Sequence, residues 1–210
     1  HAQFEFADVM RRVQSIISTI EPHDSAERYT GLGVDVVLGT AKIVSPWEVD
    51  ITRDDGNTQR LTTRSIVIAT GARPFVPPIP GIESVGYLTS DNIWELRELP
   101  QRLVVLGGGP IGCELTQAFA RLGARVTQVE MAPRIMLRED PEVSELVTQR
   151  FKGEGINVLV DHRAREFIID NSEKILIAEH QGRDVRIPFD AVLVAVGRAA
   201  NLRGFGLEEL

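Results

Sequence analysis

Apolar positions change their spacing several times along the chain, and each change predicts an element. From Phe4 to Ile20 they recur at helical spacing (Phe6, Val9, Val13, Ile16, Ile17, Ile20) and Pro22 follows, which predicts an amphipathic helix docked on a sheet. Arg11 and Arg12 fall on its polar face, and His23 follows in a polar loop with no neighbouring base or metal ligand. Gly33–Leu38 reads as a strand, and three short β segments follow at Thr40–Val44, Glu48–Thr52 and Gln59–Thr62. Asp54-Asp55-Gly56-Asn57 joins the last two. It lacks the remaining ligands and the distal glutamate of a calcium loop, so a hairpin turn is predicted there. The continuous run Ile66-Val67-Ile68-Ala69 predicts a buried strand ending at Thr70-Gly71. Arg73–Gly81 is proline-rich, an extended connector that cannot enter a sheet interior and the natural domain boundary.

The second half repeats the alternation on a larger scale. A short helix is predicted over Ser90–Leu99, then a buried parallel strand at Leu103-Val104-Val105-Leu106. A helical pattern follows (Ile111, Leu115, Phe119, Leu122), with Gly123 as its stop, and Arg125–Val129 is a second strand. The loop Met131–Asp140 leads to a helix from Pro141, with Val143, Leu146, Val147 and Phe151 apolar and Gly153 and Gly155 ending it. Ile156–Val160 completes a βαβαβ unit. Glu166–Ile169, Lys174–Ala178 and Asp184–Ile187 form an antiparallel meander, and Ala191–Val196 is a last buried strand before Gly197-Arg198. The fold class is therefore α/β, a Rossmann-like domain of βαβαβ plus β-meander, joined to part of a second Rossmann-like domain.

Between the first strand and the first helix of that unit, Gly107, Gly109 and Gly112 stand at the spacing G-x-G-x-x-G. If a dinucleotide binds there, the first glycine permits the tight turn. The second lets backbone approach the pyrophosphate, and the third lets helix and strand pack closely. The helix N-terminus presents unpaired N–H groups and about half a positive charge to the phosphates. Glu130, 18 residues past Gly112, stands where an acid accepts hydrogen bonds from the adenosine ribose. Such a carboxylate would oppose a 2′-phosphate at 4 Å by about 4 kcal/mol at an effective dielectric near 20. The expected cofactor is therefore NAD(H) in preference to NADP(H). Arg134 and Arg138 lie close by and weigh the other way.

The meanders echo one another. Gly182 lies 126 residues beyond Gly56, and the same register sets Ile51 on Ile177, Arg60 on Arg186, Ile66-Val67-Ile68 on Val192-Leu193-Val194 and Gly71 on Gly197. Extended backwards, it places the partner of the glycine motif before residue 1, so the first half is expected to lack an opening strand and glycine loop. The first residue, His1, points the same way.

With 210 residues and 43% hydrophobic content the chain can bury a core as one large or two small domains. A net charge of −7 argues against nucleic acid and anionic membrane as partners. No apolar run approaches 18 residues and no secretory signal is visible, so a reducing, cytoplasmic setting is expected. The single cysteine, Cys113, excludes an intrachain disulfide, and its place in the helix suggests a small packing residue. No metal-ligand spacing stands out.

Four stretches, IVIATGARP at 66–74, VPPIPG at 76–81, GGGPIGCE at 107–114 and AVLVAVGRAANL at 191–202, resemble the pyridine nucleotide–disulphide oxidoreductases. These are flavoproteins that include dihydrolipoamide dehydrogenase, glutathione reductase and mercuric reductase. The resemblance implies a partial FAD-binding domain over residues 1–78, an NAD(P)-binding domain over 79–198 and a segment returning toward the FAD domain over 199–210. It implies a full-length homodimer in which nicotinamide passes hydride to FAD and electrons continue to a disulphide or similar acceptor. The family's own FAD-binding glycine motif, redox-active cysteine pair, later glycine–aspartate motif and His–Glu pair have no match here. The chain alone is thus expected to hold no catalytic residue, to lose FAD and to be inactive. The family pattern sets Glu114 near the nicotinamide, where relatives pair it with a lysine, while a first-turn helical glutamate is the plainer reading. It sets Pro110 and Ile111 in the nicotinamide pocket and Gly197 at the nicotinamide end, with Thr70 and Gly71 as further cofactor-binding positions. Two alternatives stay open, a nucleotide-binding sensor or scaffold without redox chemistry and a flavoprotein with a non-disulphide acceptor.

Overall fold

The computed structural model describes residues 4–210 and divides into two compact units. One takes the residues up to 14 together with 74–198, the other 15–73 together with 199–210.

In chain order the elements are α1 (Phe6–Ile20), α2 (Ala26–Gly31), β1 (Thr40–Ser45), β2 (Glu48–Thr52), β3 (Thr58–Thr62), β4 (Ala72–Pro74) and α3 (Ile82–Val85). There follow β5 (Arg102–Leu106), α4 (Pro110–Arg121), β6 (Arg125–Val129), α5 (Pro141–Gly153) and β7 (Asn157–Leu159). The chain closes with β8 (Arg163–Asp170), β9 (Glu173–His180), β10 (Arg183–Phe189), β11 (Ala191–Val194) and β12 (Arg198–Ala200).

The larger unit is built on a parallel sheet of order β11-β5-β6-β7. Two of its strands, β5 and β11, are short, apolar and buried, so successive residues serve opposite layers. Leu103 and Val105 of β5 pack with Cys113, Leu115 and Phe119 of α4 and Phe151 of α5. Val104 and Leu106 point the other way, to Phe167, Leu176 and Phe189 of the antiparallel meander β8-β9-β10. Two-residue turns close that meander, at Asn171-Ser172 and Gln181-Gly182, with all four residues at positive φ as right-twisting hairpins require. Arg102 ties the start of β5 to Asp190 and to Glu173 at 2.6–2.7 Å, which raises its pKa through those hydrogen bonds. Phe6 and Met10 of α1 complete the helical layer, Phe6 lying 6.0 Å from the ring of Phe119.

The smaller unit holds the second meander, β1-β2-β3, in which only Ile43 and Ile51 are buried. The chain's last residues fold back on it. Ile43 N–H donates to Phe205 O at 2.7 Å, Lys42 pairs with Glu209 at 2.6 Å, and a Cβ at Gly206 would meet Ile43 O at 2.2 Å.

Several expectations need correction. Gly33–Leu38 and Ile66–Ala69 form no ladder among the described residues, and both runs are largely exposed, Val67 to 88%. A strand exists only through its partners, and local β propensity does not supply them. The helix predicted over Ser90–Leu99 is a single 3-10 turn at Ile93–Glu95, because Asn92 and Thr89 side chains take the backbone N–H groups of Thr89 and Asp91. The first helix buries Phe6 and Met10 but leaves Ile16, Ile17 and Ile20 exposed. A helical turn that pattern reading passed over, α2, is capped by Ser25, whose hydroxyl accepts from Arg28 N–H at 3.2 Å. The repeat also slips in space. Ile51 faces Gln59, whereas its counterpart Ile177 faces Arg186, because a five-residue loop joins β2 to β3 and a two-residue turn joins β9 to β10.

Candidate functional site

The C-terminal ends of β5, β6 and β11 open into a crevice of about 1610 Å³, entirely within the larger unit. Its floor is the glycine turn between β5 and α4. Its walls are the loop after β6, the segment after β11, the start of β8 and the proline-rich stretch from Pro74 to Pro80. Open parallel sheets place ligands at this position, and the volume exceeds the roughly 300–1,000 Å³ of ordinary small-molecule pockets.

The glycines of the turn divide by cause. Gly107 has φ 106°, and a Cβ there would stand 2.4 Å from Ala195 O. At Gly112 a Cβ would meet Gly107 O at 2.3 Å, so this glycine sets how closely α4 approaches its strand. Gly109 is different. Its φ of −78° suits any residue and no protein atom lies within 4 Å of a Cβ built on it. Neither the backbone nor the packing of this chain requires glycine there, and the space it leaves open faces the crevice.

The backbone donors of the turn can be accounted for one by one. Gly107 N–H goes to Val129 O at 2.9 Å and Gly108 N–H to Glu130 Oε2 at 2.6 Å. Pro110, at the first helical position, has none. Cys113 N–H bonds Gly109 O at 2.9 Å. Among the described residues, the N–H groups of Gly109, Ile111 and Gly112 have no acceptor at the positive end of α4. Three unpaired donors on a helix dipole suit an anion, above all a phosphate.

Glu130 follows β6 half-buried, with both carboxylate oxygens engaged, Oε2 by Gly108 N–H and Oε1 by Ala132 N–H at 2.7 Å. A carboxylate offers about four acceptor positions, so two remain for a ligand. Arg134 donates to the carbonyls of Met136, Leu137 and Glu139 at 2.8–3.2 Å, which commits it to its own loop. Arg138 and Arg163 both line the crevice without a side-chain partner among the described residues, and Arg165 is paired with Asp184 at 2.9 Å.

Of the residues singled out from sequence, Gly107, Gly109, Pro110, Ile111, Glu130 and Gly197 all line this one crevice, and Gly112 packs directly behind the turn. Glu114 is exposed and does not line it. As the fifth residue of α4, Glu114 is also past the first turn, so the helix dipole does not explain it. Thr70 and Gly71 lie outside the lining as well. Thr70 exchanges hydrogen bonds with Asn201, and Gly71 O accepts from Asn201 N–H at 3.0 Å. Cys113 is buried, and desolvation raises its pKa, which keeps the thiol protonated and unreactive. The Asp54–Asn57 cluster is a turn in which Asp55 accepts from Asn57, and no metal-binding group of side chains occurs among the described residues.

Pattern reading missed Gly108, Met136 and the proline-rich wall. Three successive glycines at 107–109, where the motif needs two, were the available signal for the first. Met136 has φ 52° and donates its N–H to Gly108 O at 2.6 Å, and nothing in the sequence announces that. Residues 74–80 are a connector in sequence and a crevice wall in space.

Comparison with known proteins gives a consistent result. Residues 5–210 match the family described as pyridine nucleotide-disulphide oxidoreductase. Mercuric reductase of Staphylococcus aureus is 32% identical over 97% of this chain, which spans 36% of that protein. Dihydrolipoyl dehydrogenase of Bacillus subtilis is 34% identical over 84% of the chain and 38% of its own length. Among solved structures, the HOCl-induced flavoprotein disulfide reductase RclA of Escherichia coli superposes with a TM-score of 0.82 at 25% identity, covering 98% of this chain and 45% of that one. The chain thus spans less than half the length of the relatives it matches.

Proposed function

The chain belongs to the pyridine nucleotide–disulphide oxidoreductase family, and from that premise we propose that its crevice binds a nicotinamide dinucleotide, NAD(H) in preference to NADP(H). Residues 79–198 are the NAD(P)-binding domain in this reading, residues 1–78 part of an FAD-type domain and 199–210 the return toward it. The whole protein is a homodimeric flavoenzyme, FAD taking hydride from the nicotinamide. One observation carries the dinucleotide reading. Gly109 is required by no contact of the chain itself, and at the head of α4 three N–H groups, its own included, have no acceptor among the described residues. A pyrophosphate needs this combination, close backbone approach and donors already in place.

The residues divide the ligand between them. The N–H groups of Gly109, Ile111 and Gly112 hold the pyrophosphate, and the spare acceptor positions of Glu130 take the adenosine ribose hydroxyls. Gly197, with φ 135° and no atom within 4 Å of a Cβ, leaves room toward the nicotinamide end. The bound nicotinamide supplies a hydride. The chain's own part is to bind and orient the cofactor; Cys113 is buried, and desolvation keeps its thiol protonated.

Charge supports the NAD(H) preference. Glu130 repels a 2′-phosphate, and Arg134 is spent on its own loop. NADP(H) is the second reading, supported by Arg138 and Arg163, which line the crevice without side-chain partners. Calorimetric titration with both cofactors separates them. NADH is expected to bind more tightly, and tighter NADPH binding, lost in an Arg138→Ala, Arg163→Ala double variant, overturns the preference. Gly109→Ala tests the site itself. It should weaken NADH binding at least tenfold, an effect of about 1.4 kcal/mol or more, while leaving thermal stability unchanged because the added methyl group meets no protein atom. No NADH binding by the unaltered chain refutes the reading outright.

A further inference from the structure

Glu130 is expected to serve the ligand, yet both its oxygens accept from the chain's own backbone, and the shorter bond goes to the middle glycine of the turn. The peptide groups around Gly108 are held from several sides. Gly108 N–H donates to Glu130 Oε2 at 2.6 Å, and Gly108 O accepts Met136 N–H at 2.6 Å. Gly107 O accepts the amide of the fully buried Gln128 at 2.9 Å. All three partners lie on β6 or the loop that follows it. That loop is anchored in turn, with Ile135 fully buried against Gly108 and Ser144 Oγ donating to Ile135 O at 2.6 Å.

This arrangement changes which donors a ligand meets. With Gly108 N–H turned onto Glu130 and Pro110 lacking one, the unpaired donors are those of Gly109, Ile111 and Gly112. We infer that Glu130 is a positioning residue for the glycine turn: its carboxylate fixes the Gly108 peptide and so aims the remaining N–H groups at the phosphates, in addition to any contact with ribose. The carboxylate acts on the phosphate end of the ligand through the protein, although its own ligand contact is at the sugar. A turn held in its binding form avoids the loss of apparent affinity that follows when the competent conformation is only partly populated. The inference rests on the dinucleotide reading of the crevice.

A ligand without ribose hydroxyls separates the two roles. 2′,3′-Dideoxy-ADP keeps the pyrophosphate and the base but offers Glu130 nothing to accept. If the turn depends on the carboxylate, Glu130→Gln binds this probe about tenfold more weakly than the unaltered chain, the scale set by loss of a charge-assisted hydrogen bond. Removing a negative charge would by itself tighten phosphate binding, so a loss reports the turn. Glu130→Asp keeps the charge, is one methylene too short to reach both N–H groups, and should show the same direction of change. In amide NMR spectra of the ligand-free chain, the Gly108 resonance should lie downfield, as short bonds to a carboxylate require, and move upfield in both variants. The remaining dispersed signals, unchanged, establish that the variants fold. Equal or tighter binding of the dideoxy probe by both variants, or a Gly108 resonance that does not move, overturns the inference. Failure of the unaltered chain to bind either ADP or NADH overturns the dinucleotide reading instead.

Discussion

Val192-Leu193-Val194 and Ile66-Val67-Ile68 occupy equivalent places in the two halves of the repeat, yet one triplet is sealed from water and the other is not. Leu193 is 0% exposed in β11, paired with β5 and bridged on its other side by Leu88. Val67 is 88% exposed and pairs with no strand among the described residues. The preceding meanders differ in the same sense. Phe167, Leu176, Ala178, Ile187 and Phe189 bury one face of β8-β9-β10 against the parallel sheet, while β1-β2-β3 buries Ile43 and Ile51 alone. Hydrophobicity marks both triplets as strands. Only a neighbouring strand makes one of them part of a core.

The comparison is broken most directly by substituting its centre. Leu193→Ala removes a fully buried side chain and should cost about 3 kcal/mol, whereas Val67→Ala should fall within about 0.5 kcal/mol of zero. The two compact units are best followed separately, because a single unfolding free energy is not defined when parts of a chain melt independently. The tryptophans allow this, with Trp47 reporting on the smaller unit and Trp94 on the larger. Urea titrations of single-tryptophan backgrounds would show Leu193→Ala shifting the Trp94 transition. A Val67→Ala shift as large as that would mean that residue 67 is covered after all. A smaller effect sharpens what the halves share. Gly56 and Gly182 both turn hairpins at positive φ (83° and 76°) with open space around a Cβ. Alanine at either should cost about 1 kcal/mol from the left-handed backbone alone, each in its own transition. Unequal costs would show that the turns are alike in dihedral angle only.

What the sequence disclosed follows the same division between local and non-local causes. The βαβαβ unit was legible almost to the residue, Arg125–Val129 included, because its first strand is an apolar run and its helices carry Pro110, Pro141 and Gly123 at their ends, which leaves Arg125–Val129 bounded between a helix stop and a loop. The glycine turn and Glu130 were legible as a group for the same reason, spacing within one local motif. Burial at 66–69, the strand at 33–38 and the crevice wall at 74–80 depend on which segment lies alongside, and no local pattern records that. Glu114 and Thr70 came from family pattern alone, and neither lines the crevice. The latch on Gly108 lay beyond reach because Met136 is an ordinary side chain at an unusual backbone angle.

The smallest effect concerns charge, and it too sets the halves side by side. Glu154, just past the end of α5, accepts from Arg121, Arg150 and Gln117, and the Arg121 hydrogen bond leads in holding its carboxyl down to about 2. Asp50 on β2 is lowered in the same way by Arg60. A carboxyl whose folded pKa lies below its unfolded value near 4.5 contributes stability above the unfolded value, and loses it as pH falls toward the folded one. Glu154→Gln should therefore lower the Trp94 melting temperature by roughly 2 °C at pH 7, a surface-pair effect in a chain of this size. The gap should narrow steadily from pH 4.5 toward pH 2. Asp50→Asn should act on the Trp47 transition alone. Glu154 joins α4 to α5 near the negative end of a helix, where an acid is unfavourable without its arginines. Its loss should thus be felt along α4, at whose other end stand the unpaired donors of Gly109, Ile111 and Gly112. Unchanged NADH affinity in Glu154→Gln would show that the helix transmits nothing from one end to the other, and that the binding end of α4 is held by its own turn.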